Sequence, residues 1–374
     1  MKERFRKVNL EGSVSITMDE KKGVWNAKKS KVIANMMAIC EEYIGDGYSL
    51  TLRQLYYQLV ARDIIPNHDK VYKKISGLKD EAVYGGLIDW GVFEDRGRVP
   101  FTPYSEDSIT GALEKTVDYY RLDRQKTQKD HIEVWTEKDA ISSILKRVTN
   151  RYGVTLVVNK GYTSSTAIYG AYERFSDVIN EGGKVKILYF GDHDPSGLDM
   201  IRDINDRLLF MFTNGVGLYD FDERVDEWWN KEGLTLYDVA NMDEKYESVA
   251  LLMGDLSSKK EEKIYDLFEQ GRKLMYFKEK ELFEVVQVGL TMEQIKEYNP
   301  PSNPAKMTDP RMRDYIRQYG KVSWEVDALK PKIMEGIVKK AIEDSIDMEA
   351  YEDIMDRERL EKKKIKEIIK DLKE

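Results

Sequence analysis

The sequence predicts an α/β protein: an amino-terminal helical unit, then a mostly parallel sheet with helices on both faces, then closing helices. Three observations carry this. Between Ile132 and Phe212, apolar strand-like runs alternate with helical periods, the rhythm of a parallel sheet. The run Lys186-Ile187-Leu188-Tyr189-Phe190 ends in Gly191-Asp192-His193-Asp194-Pro195-Ser196-Gly197, which puts two carboxylates where open α/β sheets bind ligands. Upstream, Thr51-Leu52-Arg53-Gln54-Leu55-Tyr56-Tyr57-Gln58-Leu59-Val60 opens with the form of a capping box and continues as an apolar stripe.

A chain of 374 residues suggests two or three domains. With 41% hydrophobic and 34% charged residues, and no apolar run near the roughly 20 residues of a membrane helix, it is expected to be soluble and off the membrane. Met1-Lys2-Glu3-Arg4-Phe5-Arg6-Lys7 has no apolar segment behind it, unlike a secretory signal. The single cysteine, Cys40, excludes an internal disulfide or thiolate zinc site and fits a reducing cytoplasm. Three histidines (His68, His131, His193) leave little room for histidine-based metal or triad chemistry. A net charge of −8 argues against a wholly nucleic-acid-coated surface, but not against one basic face.

In order, residues 1–30 read as polar and irregular, and Ser30 to Ile44 as a helix ended by Gly45-Asp46-Gly47. In the next helix Leu52, Leu55, Tyr56, Leu59 and Val60 form a buried stripe. Tyr56 is therefore core, while Tyr57 lies at the edge, one turn after Arg53, placed to meet solvent or a phosphate. A third helix, His68 to Tyr84, carries Lys70, Lys73, Lys74 and Lys79, and an extended pair around Leu87–Trp90 and Val92-Phe93 leads to Arg96 and Arg98. Three helices and a small hairpin with basic residues gathered there look like a winged helix-turn-helix, which would lay a helix in the major groove. The plainer reading is a solvated charged helix. Val99-Pro100-Phe101-Thr102-Pro103 reads as a linker, and Ser108 to Lys126 as a helix.

In the sheet region, the strand Ile132–Trp135 ends at Thr136-Glu137-Lys138-Asp139, Val154–Val158 leads into Asn159-Lys160-Gly161-Tyr162, and Val185–Phe190 ends in the acidic motif. A further strand is expected at Val285–Val288. Beyond Lys330 the chain reads as helical, with Ile333, Ile337, Ile342 and Ile346 as a first stripe and a long exposed or partner-binding helix from Tyr351. Glu137, Asp192 and Asp194 thus stand at strand ends of one sheet. Such acids repel by several kcal/mol unless a cation neutralises them, and Mg²⁺ suits oxygen ligands and a phosphodiester substrate. A solvated acidic turn is the bland alternative. His193 is expected to turn away from the acids or make a hydrogen bond.

Glu137-Lys138, Lys160-Gly161-Tyr162 and Asp192–Gly197 resemble a Toprim domain. Arg53-Gln54-Leu55-Tyr56-Tyr57 resembles the active-site helix of the topoisomerase VI A subunit and its meiotic double-strand-break relatives, and Glu325-Val326-Asp327-Ala328-Leu329 is similar to that family's closing Toprim segment. The likeness covers roughly residues 45–330 and extends to short stand-alone A-like proteins of phages and mobile elements. It implies a helical extension (1–44), a winged helix with the catalytic tyrosine (45–105), a linker helix (106–127), a Rossmann-like Toprim domain (128–330, with an insertion at 213–280) and carboxy-terminal helices (331–374). It implies a type IIB DNA-cleaving transesterase. Tyr57 would attack a DNA phosphodiester and leave a 5′-phosphotyrosine, and Glu137, Asp192 and Asp194 would hold Mg²⁺. Arg53 would activate the phenol or balance transition-state charge, with Lys70, Lys73, Lys74, Lys79, Arg96, Arg98, Lys138 and Lys160 on double-stranded DNA. A homodimer in which one subunit's tyrosine meets the other's metal is also implied, as is a separate ATPase subunit, since no P-loop is present. The expected setting is the cytoplasm, on the nucleoid of a prokaryote or of a phage host. The alternative is a Toprim nuclease that activates water and uses the winged helix only to bind.

Overall fold

The computed structural model describes residues 9–18, 23–94, 103–212, 281–304 and 312–371. Arg96, Arg98, most of the expected linker and the expected insertion at 213–280 lie outside them. The chain is α/β, and its main sheet has four strands, all parallel, in the order β4-β3-β5-β6. These are β3 (Asp130–Thr136), β4 (Thr155–Val158), β5 (Lys184–Phe190) and β6 (Phe283–Gly289). The path steps outward from β3 to β4 and then returns past β3 to β5. The crevice between the carboxyl ends of β3 and β5 is therefore a topological switch point, where such sheets bind ligands.

The amino-terminal stretch is not irregular. Ser13–Thr17 (β1) pairs antiparallel with Val24–Lys28 (β2), with Val14 and Ile16 buried and their neighbours exposed. That alternation with a period of two is the signature of a half-buried strand. Helices α1 (Lys29–Gly45), α2 (Leu52–Ala61) and α3 (Asp69–Tyr84) follow. The capping box of α2 is present: Thr51 accepts from the Gln54 amide, while Gln54 accepts from the Thr51 amide at 2.8 Å.

The extended pair after α3 is not a hairpin in its described part. Asp89 accepts from the Gly91 amide at 2.7 Å and starts a 3₁₀ turn at Trp90–Val92. Only Phe93 then forms a bridge, parallel to Leu50. The next helix, α4 (Ile109–Tyr119), stops short of Lys126. The residues after it turn inward, where Leu122 donates to Glu358 at 3.2 Å and Arg124 pairs with the same carboxylate, both partners being nearly buried.

One buried apolar cluster runs from α1–α3 through Ile132, Val134, Leu188 and Phe190 on one sheet face. It continues into α5 (Ser142–Tyr152) and into Met334, Val338 and Ile342 of α10 (Pro331–Glu343). The amino-terminal unit thus shares its core with the sheet. At about 1.5–3 kcal/mol per fully buried aliphatic side chain, that shared core holds the two together more firmly than any surface ion pair. The opposite face (Trp135, Ile187, Tyr189) packs on α6 (Ser165–Asn180) and α7 (Pro195–Phe212).

After β6 come α8 (Met292–Tyr298), the short antiparallel pair β7 (Ser302–Pro304) and β8 (Val322–Trp324) with α9 (Met312–Tyr319) between them, then α10 and α11 (Met348–Asp371). The buried stripe of α10 is Pro331, Met334, Val338 and Ile342; of the expected isoleucine series Ile342 is therefore fully buried, while Ile333, Ile337 and Ile346 are half-buried against the same core. Helix α11 is not free along its length. Tyr351, Ile354, Glu358 and Ile369 are buried, Arg124 holds Glu358, and the remaining faces carry charge to solvent. No helix among the described residues is long and apolar enough to cross a membrane.

Candidate functional site

The site forms where α2 lies across the switch point. Seven consecutive residues of α2, Gln54 to Val60, are buried. A helix with one apolar stripe would bury about half of these, so a second surface covers α2. That surface is the 3₁₀ turn Val326–Ala328, whose Ala328 carbonyl accepts from buried Gln58 Nε2 at 3.2 Å. Tyr56 is core, as its spacing predicts: its hydroxyl accepts from the His68 amide at 2.7 Å and donates to Asn67 Oδ1 at 3.0 Å. Tyr57 does not meet bulk solvent. It is 5% exposed and borders a cavity of about 590 Å³.

Arg53, Tyr57, Lys138, Asp192, Asp194 and Glu325 all line this cavity. Sequence positions 53–57, 138, 192–194 and 325 are thereby brought together. Glu137 stands beside them, its Oε1 accepting from the Asp192 amide at 3.2 Å. Asp194 caps α7: its Oδ1 accepts from Gly197 N at 2.7 Å, and Pro195 takes the first helical position, where its missing N–H costs nothing. Gly197 is required there, because a Cβ would lie 2.3 Å from the Asp192 carbonyl oxygen. His193 turns away as expected. It packs against Tyr319 and Trp324, and its Nδ1 lies 2.9 Å from the Tyr315 hydroxyl.

The basic residues divide. Lys138 is in the site. Lys70, Lys73 and Lys74 are exposed along α3, whose first turn borders the cavity through His68 and Asp69. Lys79 instead pairs with Asp80 and lies over the Phe93 ring at 5.3 Å, at a separate cleft with Trp90. Lys160 is exposed on its turn, 3.6 Å from Asp139.

The sequence singled out Glu325–Leu329 by its resemblance but gave neither its acids nor Asn303 a place in the site. Glu325 precedes the 3₁₀ turn and Asp327 lies within it, and together they bind both cations: Arg53 pairs with Glu325, and its Nε lies 3.1 Å from Asp327 Oδ2. Lys138 Nζ stands 2.8 Å from Asp192, 2.9 Å from Glu325 and 3.3 Å from Asp327. Asn303 of β7 donates to the Tyr57 hydroxyl at 3.5 Å and to Glu325 at 3.3 Å. The available signal was the spacing: Glu325-Val326-Asp327 repeats the acid-X-acid form of Asp192-His193-Asp194.

Protonation follows from this arrangement. Burial, and then Glu325, push the Tyr57 phenol above its ordinary range, while Arg53 and Asn303 pull the other way. Burial pushes Asp192 up to about 8 against the pull of Lys138, with Glu137 and Asp327 adding to the rise. Glu137 and Asp327 are also raised, burial again leading. Glu325 moves down to about 2, because Lys138 and Arg53 outweigh its burial. Burial opposes the charge of Lys138, but Asp327, Asp192 and Glu325 hold it above its ordinary value.

Five carboxyls face two cations here. An attraction between unit charges at 2.8 Å amounts to roughly 6 kcal/mol at an effective dielectric near 20, so Lys138 is the principal counterweight. The donor set fits a hard cation in type: the side chains of Glu137, Asp192 and Asp194 offer only oxygens, and Asp327 Oδ2 is buried against Arg53 Nε at 3.1 Å. Its geometry is not yet that of a metal centre. Among the described residues no three acidic side chains converge as ligands would, and the Lys138 ammonium stands between them. Arg53 is likewise committed to acids, with its guanidinium carbon 5.7 Å from the centroid of the Tyr57 ring.

No family model matches the chain, and neither does any curated protein or solved structure.

Proposed function

We propose that this protein is a Mg²⁺-dependent DNA-cleaving transesterase of the type its motifs resemble, the A subunit of type IIB topoisomerases. In this reading α2 and α3 belong to the winged-helix unit, α1 to the extension before it, and the parallel sheet to the Toprim unit. One observation carries it: a tyrosine hydroxyl, an arginine and the strand-end acids Asp192 and Asp194, far apart in sequence, border a single cavity. The exposed lysines of α3 would hold the phosphates of double-stranded DNA, so that a strand enters past His68 and Asp69. Tyr57 loses its proton, its oxygen bonds to phosphorus, and the bond from phosphorus to the 3′ oxygen breaks. The 3′ oxygen takes up a proton and the 5′ end remains on the tyrosine. Glu137, Asp192 and Asp194 are the residues to hold Mg²⁺, whose chemistry there is to polarise the phosphodiester and stabilise the departing oxygen. Arg53, drawn from Glu325 by a phosphate, balances charge in the transition state. Two chains, one per strand, would give a double-strand break. An ATPase partner would be needed for strand passage rather than for cleavage.

The test is to incubate the protein with supercoiled plasmid and Mg²⁺, denature it, and probe for protein bound to 5′ ends. Adducts are expected from the wild type and none from Tyr57→Phe. A second reading, a nuclease using metal-activated water, draws on the raised pKa of Tyr57. Cleavage that survives Tyr57→Phe would establish it.

A further inference from the structure

We propose that Lys138 is the built-in counter-cation of the acid site, and that a divalent ion binds there by displacing its ammonium group. The inference rests on the reading of Asp192 and its neighbours as a metal centre, and it assigns the regulation of that centre. Lys138 stands two residues past the end of β3, and its Nζ meets three carboxylates from two other segments at 2.8, 2.9 and 3.3 Å. A four-carbon stem with three donors suits it to this place. The third carboxylate, Asp327, is fully buried and is shared with Arg53, whose Nε lies 3.1 Å from its Oδ2.

A divalent ion drawn to Asp192 meets a positive charge already in contact with that carboxylate. Asp192 Oδ1 already accepts from the Val326 amide at 2.8 Å and its Oδ2 faces Lys138, so a metal requiring an oxygen at about 2.0–2.1 Å must take the one the ammonium holds, and two adjacent cations repel. Binding is therefore an exchange, in which the ion enters and the ammonium swings out. The displaced group is then free beside a cavity that, in the proposed function, holds a phosphate. The same residue would thus keep the acid site intact without metal and contact DNA once metal has bound.

The test is Mn²⁺ binding to the full-length protein, read by loss of the free-ion paramagnetic resonance signal, with no DNA present. Lys138→Met should bind Mn²⁺ at least tenfold more tightly than wild type, and Asp192→Ala in either background should remove that binding. Equal or weaker binding by a folded Lys138→Met overturns the proposal. The wild-type protein supplies a second measurement that does not depend on whether the variant folds. Reductive methylation of Lys138, followed by peptide mass spectrometry, should accelerate severalfold when Mn²⁺ is added, as the ammonium leaves its carboxylates. An unchanged rate with Mn²⁺ bound also overturns the exchange. Absence of any Asp192-dependent Mn²⁺ binding in both proteins refutes the metal-centre reading itself, and the exchange with it.

Discussion

Tyr57 is held as the protonated phenol, and the cause is local. Burial and the Glu325 charge raise its pKa, and a phenol already starts near 10. Glu325→Gln should lower the Tyr57 titration, because the negative charge is removed while Asn303 remains. The check is the ultraviolet tyrosinate difference between protein with Tyr57 and its Tyr57→Phe counterpart, in each background. A midpoint unmoved or moved upward would sink the assignment. At this scale the sequence exposed the residues with unusual neighbours. Arg53 and Tyr57 were legible from helical spacing, and Asp192 and Asp194 from the strand, proline and glycine around them. Glu325 and Asp327 were visible only as part of a resembling segment, and their contacts and that of Asn303 were not, because an acid or amide in a polar stretch looks the same whether it faces water or a cation 272 residues away.

Among elements, the turn into α7 has the least tolerance. Gly197→Ala would set a Cβ 2.3 Å from the Asp192 carbonyl and force the acid-bearing turn to shift. The expected result is a folded protein with Mn²⁺ affinity reduced by tenfold or more, and unaltered affinity would count against the turn as the positioning device. Strand β3 supplies a pH dependence. Buried Glu133 accepts from Trp135 Nε1 at 2.8 Å and from Arg174 at 2.8 and 3.0 Å. Burial works to raise it, but His131 and Arg174 hold it below its ordinary 4.5. A carboxylate with a depressed folded pKa stabilises fully above its unfolded pKa and loses that contribution as pH falls through the folded one. Thermal melts should show wild type more stable than Glu133→Gln by about 2 kcal/mol at pH 7, the gap closing as pH drops below 4.5. A gap constant with pH would exclude Glu133 as the titrating group. The α/β alternation was legible because apolar periodicity is a local signal. The β1–β2 pair was hidden by its polar exposed face, and the full burial of α2 by a covering turn that only the tertiary fold supplies.

For the whole molecule, the continuous core joining α1–α3 to the sheet sets Tyr57 and Asp192 of one chain against the same cavity. The resemblance pairs these groups between subunits, whereas this arrangement places them within one. A mixture of Tyr57→Phe and Asp192→Ala chains, co-expressed so that they can pair, should then give no 5′ adduct, since neither chain holds a complete set. Recovery of adducts would show that subunits exchange these groups. The ion pairs that join Arg53 to Glu325 and the hydrogen bond from Gln58 to Ala328 span 272 and 270 residues. Synthesis at about 5–20 residues per second separates the emergence of these partners by tens of seconds. The helix bearing the tyrosine therefore leaves the ribosome long before the turn that seats it. The candidate site thus stays open while the chain is being made, and closes only after the Val326–Ala328 turn has been translated.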